Sequence, residues 1–282
     1  MNDTESTSSN HSFILKYAFF VFSLLALIIG FIGYLPLVLS EYGLFPTTLV
    51  TPFVLLGGGS PTIAAVITAA LAFGSDGAKN VFSGLTRSIS NRPMIMVAII
   101  LPFVTFYTAI GMMVLMGSTF EFLNANFAVF IPILLSNFLM NIWEEIGWRG
   151  FALPALQKTQ NALVASLALG IVWSLWHWQY FVIPSSAQIE IYGNFLIFSL
   201  HTIIVTILYT WIYNSTNGNL ITVTLYHAIT NTVGFLIYDA GFTIPAVYTL
   251  LVNIGFAIMV IIVFKMRSLS SEEKVTIDDI MK

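Results

Sequence analysis

The stretch NIWEEIGWRG, Asn141–Gly150, sets Glu144, Glu145 and Arg149 inside a chain that is otherwise composed for lipid. Of 282 residues, 57% are hydrophobic and only 8% are charged, against about 25% charged in an ordinary soluble domain. The chain therefore reads as an all-α polytopic membrane protein. In the middle of a bilayer each Glu or Arg costs about 2.5–3.5 kcal/mol on insertion scales, so three in one turn and a half of helix need partners, a wet cavity, or both. Such a cluster is a functional site by default.

Working outward, apolar segments recur at 13–38, 45–74, 94–117, 127–156, 161–183, 193–213, 219–238 and 242–264. A spanning helix needs about 20 apolar residues, so these predict about eight transmembrane helices in one integral domain, 13–264. A polar tail, 1–12, precedes it, and a charged, solvated tail, 265–282, follows. The leader carries Asp3 and Glu5 instead of a basic n-region, which predicts a retained first helix and no cleaved signal.

Charge tests the map. With both termini on the cytoplasmic side, Lys16, Lys79, Arg87, Arg92, Lys158, Lys265, Arg267, Lys274 and Lys282 share that side, while Glu41, Glu121, Glu190 and Asp239 fall opposite. The remaining base is Arg149. In a prokaryote this predicts a multi-pass protein of the cell membrane. The absence of cysteine excludes disulfides, thiolate metal sites and Cys nucleophiles. No basic block points to nucleic acid. GGGSP at 57–61 predicts close packing and a kink in the second span, with a re-entrant break as the alternative.

Two further stretches carry polar groups into the bilayer: IVWSLWHWQ with His177, and LYHAITNT with His227 and Asn231 four apart. Counted from the turn near 159, Glu144 and His177 lie at about 22–27 Å. From the loop near 216, His227 and Asn231 lie at about 16–22 Å. The four can converge in one cavity between the fourth, fifth and seventh spans, reached from the inner side. Glu145 and Arg149, four apart, can pair on one helix face, with Glu144 turned about 100° away. His201 has no partner spacing and reads as packing or a hydrogen bond to a neighbour. His11 lies in the polar tail.

At these residues the sequence resembles the CPBP family of intramembrane proteases, which includes type II CAAX prenyl proteases and bacteriocin-immunity (ABI) relatives. EEIGWR is similar to its Glu-Glu-x-x-x-Arg motif, WSLWH to its aromatic-x-x-x-His motif and HAITN to its His-x-x-x-Asn motif, within a core of 140–235. Trp173 stands where that motif more often has Phe. Peptide hydrolysis needs an activated water and donors for the oxyanion. Glu144 can serve as general base, His177 can polarise the same water, and His227 with Asn231 can offer oxyanion donors. The resemblance implies the same roles, with Glu145 and Arg149 as accessory residues. It implies as partners the lipid bilayer and a membrane protein, lipidated protein or peptide as substrate.

A metal-dependent alternative stays open, with Glu144, His177 and His227 as three zinc ligands and a fourth position for water. Glutamate-based hydrolysis without a cofactor is the favoured reading; the HExxH spacing is absent, but the histidines come from different spans, so spacing does not decide. Two other function classes are a non-catalytic immunity or scaffold protein and a proton-coupled transporter. The transporter is disfavoured because the charges have no counterpart in the first half of the chain.

Overall fold

A computed structural model describes residues 17–118 and 127–282. The tail with His11, Lys16 and the start of the first span, and the loop carrying Glu121, lie outside the described residues. The described chain is helical: α1 Ala18–Glu41, α2 Val50–Asn80, α3 Pro93–Leu115, α4 Phe130–Gly147, α5 Leu153–Gln157, α6 Ala162–Trp176, α7 Ala187–Tyr192, α8 Phe195–Ser215, α9 Leu220–Asp239, α10 Ala246–Ser268 and α11 Ile277–Ile280. Asparagines start three of them. Asn161, Asn194 and Asn219 each accept the backbone N–H three residues on, the bond that satisfies an otherwise orphaned first-turn donor.

Six helices, α1, α2, α3, α8, α9 and α10, are long and apolar enough to cross a bilayer. The other two expected spans differ. α4 continues through a π-helical turn, Trp148–Ala152, into α5, so the run ends at Gln157 as expected but carries a widened turn at Arg149. α6 stops at Trp176 rather than 183, and Trp178–Val182 tightens into a 3-10 helix. Ile183 then leaves helical space (φ −102, ψ 106), as a residue before proline must.

α1 packs along α2, α2 along α4, α4 along α9, and α6 along α8, with α10 against α8 and α3. The GGGSP segment does not break its helix; the non-helical residue is Gly74, φ 72. Its role is close approach. A Cβ on Gly33 would lie 2.4 Å from the Gly57 backbone, and one on Gly147 would lie 2.3 Å from Pro61. Ser60 accepts from Trp176 Nε1 at 2.8 Å, and Thr62 Oγ1 donates to the Trp143 carbonyl. The second span thus grips α4 one residue before Glu144. Large apolar side chains such as Leu24, Leu139 and Ile262 remain exposed, which suits a surface that faces lipid.

The charged C-terminal tail is solvated only in part: Glu272, Glu273 and Asp278 are exposed. Leu269 takes a left-handed conformation, φ 50, and turns the chain back. Leu269, Val275, Ile277 and Ile280 are buried in the main core. Gln157 Nε2 donates to the Val275 carbonyl at 2.7 Å, Asn214 Nδ2 to the Ser268 carbonyl at 2.7 Å, and Arg87 to the Asp279 carbonyl. The tail therefore joins the loops near 87, 158 and 217 at one end of the bundle. At the other end Tyr42 donates to the Val182 carbonyl, Ser185 to Glu41 and Tyr238 to Glu190. The loops divide between two ends as the charge pattern predicts.

Candidate active site

The widened turn places Arg149 in the protein interior, and its first partner is the one expected from spacing. Arg149 Nη1 donates to Glu145 Oε1 at 2.9 Å, with both side chains 0% exposed. The same Oε1 also accepts from His227 Nδ1 at 2.8 Å, across from α9. Spacing within one helix could not reveal this second bond. The guanidinium is clamped between two rings, Cζ lying 4.4 Å from the centroid of Trp173 and 4.2 Å from that of Tyr209. Faces of Trp and Tyr attract a cation, most strongly where water is excluded. One anion thus joins an arginine and an imidazole in a buried group that α4, α6, α8 and α9 all enclose.

Glu144 points elsewhere, as its rotation from Glu145 predicts. Its Oε2 accepts from Trp173 Nε1 at 3.3 Å. The tryptophan in place of the commoner Phe therefore supplies a donor that Phe lacks. His177, at the end of α6, has Nδ1 3.1 Å from the Trp173 carbonyl. A carbonyl only accepts, so Nδ1 carries the proton and Nε2 is left as an acceptor. The same logic applies to His227: Nδ1–H goes to Glu145, and Nε2 becomes a donor only in the imidazolium form. Asn231, one turn further along α9, donates weakly to Asn141 at 3.4 Å.

Glu144, His177, His227 and Asn231 all line one cavity of about 380 Å³. Glu145 and Arg149 do not line it and stand behind His227. The lining shows toward which end the cavity extends. The cavity wall continues to Gln188, Ile191, Tyr238 and Thr243, at the end opposite the basic loops and the tail.

Sequence reading missed Trp173 as a donor, Tyr209 as the second ring on Arg149, and Ser60 and Thr62 as the grip on α4; only GGGSP hinted at the last. His201 makes the hydrogen bond expected of it, to Asn253 at 3.2 Å, but it also lines the cavity. For the zinc alternative the fit is poor: among the described residues no group of three or more His, Asp or Glu is arranged to hold a metal ion. Glu144, His177 and His227 share a cavity without forming such a cluster.

The class that fold and site define is an all-α polytopic membrane protein with a carboxylate–imidazole cavity between helices. Residues 125–233 match the Rce1-like family, type II CAAX prenyl endopeptidase Rce1-like. Over 106 residues the chain is 31% identical to CAAX prenyl protease 2 of Methanococcus maripaludis, covering 36% of this chain and 39% of that protein. The match thus spans about two fifths of the length of that relative. Glu144–Arg149, Trp173–His177 and His227–Asn231, the three stretches that carry the resemblance, all fall inside residues 125–233.

Proposed function

We propose that the protein is an intramembrane endopeptidase that hydrolyses a peptide bond of a membrane-associated or lipidated protein or peptide. The observation that carries this reading is the convergence of Glu144, His177, His227 and Asn231 on one cavity, with the Glu145–Arg149 pair buried behind His227. In the reaction, Glu144 takes a proton from a water that His177 Nε2 also orients. The hydroxide attacks the carbonyl carbon, and Asn231 Nδ2–H, with His227 Nε2–H when the ring is charged, donates to the developing oxyanion. Glu144 then returns the proton to the leaving nitrogen as the C–N bond breaks. No metal enters this scheme.

The name of the Methanococcus relative supports a prenylated substrate. The basic end of the bundle is assigned to the cytoplasm, with the C-terminus there. The rim at 188–191 and 238–243 then lies toward the opposite face, so substrates enter from that side or laterally from the bilayer.

The test compares new protein termini in membranes of cells carrying the wild-type chain and cells carrying Glu144→Ala at matched abundance. Loss of a defined set of termini in the variant supports the protease and identifies its targets. Full rescue of a deletion phenotype by Glu144→Ala, with no terminus changed, rejects it in favour of a non-catalytic immunity or scaffold role. Turnover of a recovered substrate after chelation, with and without added zinc, tests the metal-free scheme.

A further inference from the structure

One wall of the cavity is a single face of α8: Phe198, His201, Thr202, Val205 and Tyr209 all line it. Tyr209 marks the level of the oxyanion donor His227, the two rings lying 5.3 Å apart, whereas His177 sits nearer the other end of this face, 5.3 Å from the ring of Phe198. His201 is eight residues from Tyr209, about 12 Å along the helix. There Asn253 Nδ2 donates to His201 Nε2 at 3.2 Å, which puts the ring proton on Nδ1 and offers an N–H with no partner among the described residues. Asn253 is 3% exposed, and its Oδ1 has no partner among the described residues either. A buried amide left half-satisfied in a membrane interior is costly, and the hydrolytic chemistry does not use it.

We infer that His201 and Asn253 form a second, peptide-binding subsite in this cavity, with His201 donating to a substrate main-chain carbonyl three to four residues from the scissile bond. This rests on the protease reading above. The register is bounded by distance from the His227 level: an extended chain covers about 3.3–3.6 Å per residue, so about 12 Å corresponds to at most three or four residues. The ligand chemistry follows from charge. No Lys or Arg is among the cavity-lining residues, and with Asn253 donating to its Nε2 the His201 ring presents an uncharged N–H donor. A neutral carbonyl suits it; a chain-terminal carboxylate, which would need a counter-charge, does not. Asn253 is the positioning residue that sets the His201 tautomer.

The test uses nested synthetic peptides copied from a cleavage sequence recovered in the terminus comparison, ending two or five residues beyond the scissile bond on either side. The full-length protein and its His201→Phe, His201→Gln and Asn253→Leu variants are assayed in detergent. Loss of one hydrogen bond predicts that His201→Phe lowers kcat/KM for a five-residue arm about tenfold more than for the two-residue arm. The effect should lie in KM, be matched in part by Asn253→Leu, and be largely recovered in His201→Gln, which keeps a donor. Equal losses on long and short arms, or none on either, overturn the subsite while leaving the protease intact. Failure of the wild-type chain to cleave any of the peptides overturns the protease reading itself, and the subsite with it.

Discussion

Glu145 and His227, on helices α4 and α9, are joined by a 2.8 Å bond from Nδ1 to the same carboxylate oxygen that pairs with Arg149. Histidines that act on a ligand or metal are commonly fixed through the other ring nitrogen by a carboxylate. Here that carboxylate also neutralises a fully buried arginine, so one side chain serves orientation and charge balance together.

Replacing Glu145 by Gln keeps acceptor geometry and removes the charge. Arg149 is then a buried cation without a counter-ion, and the protein should lose about 3–5 kcal/mol of stability. Thermal unfolding in detergent reads this. The double variant Glu145→Gln/Arg149→Met should be less destabilised than the sum of the two single changes; strict additivity would show that the pair is not coupled.

Trp173→Phe removes the donor to Glu144 while a ring remains beside Arg149. Turnover should fall about 10-fold, the equivalent of one hydrogen bond to a charged group, with KM and melting temperature little changed. A matched kcat for the two proteins would mean that the 3.3 Å contact does not hold Glu144 in the working enzyme.

Asn231→Ala tests the oxyanion role. Loss of one such donor typically lowers kcat by about 10²–10³-fold, and here the drop should appear in kcat rather than in substrate binding. Undiminished turnover would remove Asn231 from the mechanism.

The packed tail predicts a pH dependence outside the membrane. Partial burial pushes the Asp279 carboxyl up, but the Thr276 backbone N–H, the Thr276 hydroxyl and Lys282 outweigh it and hold the group below the usual carboxylate range. The folded value is thus below the unfolded one. Its stabilisation is complete above the unfolded value and is lost as pH falls through the folded one. Asp279→Asn should therefore lower the melting temperature at neutral pH, and the gap from wild type should close on acidification. A gap that persists at low pH would assign the effect to packing instead.

Because the sequence has no cysteine, single cysteines report sidedness directly. Those replacing Glu41 and Glu190 should label from one face, and one replacing the exposed Ser88 from the other. Common labelling of 41 and 88 would overturn the arrangement of the bundle in the membrane.

The pair Glu145–Arg149 was legible in the chain because i,i+4 spacing within one helix is a local property. The convergence of Glu144, His177, His227 and Asn231 was legible more coarsely, because short loops bring antiparallel helices to matching depths. Ser271, Glu272 and Glu273 are exposed, as their composition predicts, but nothing local announces that Leu269 turns the chain back so that Val275, Ile277 and Ile280 become buried.

What the sequence determined by itself is therefore what depends on local composition and period: an all-α membrane bundle, its division into two ends, and the residues that carry charge or imidazole into it. Tertiary structure decided which side chains share a proton or a ring. The bond from Glu145 to His227, the donor from Trp173 to Glu144, the clamp of Trp173 and Tyr209 on Arg149, and the end at which the cavity opens all join separate helices. Their distances depend on helix rotation and on which helix each close approach meets, Gly33 on Gly57 and Gly147 on Pro61; GGGSP signals close packing but not its partner.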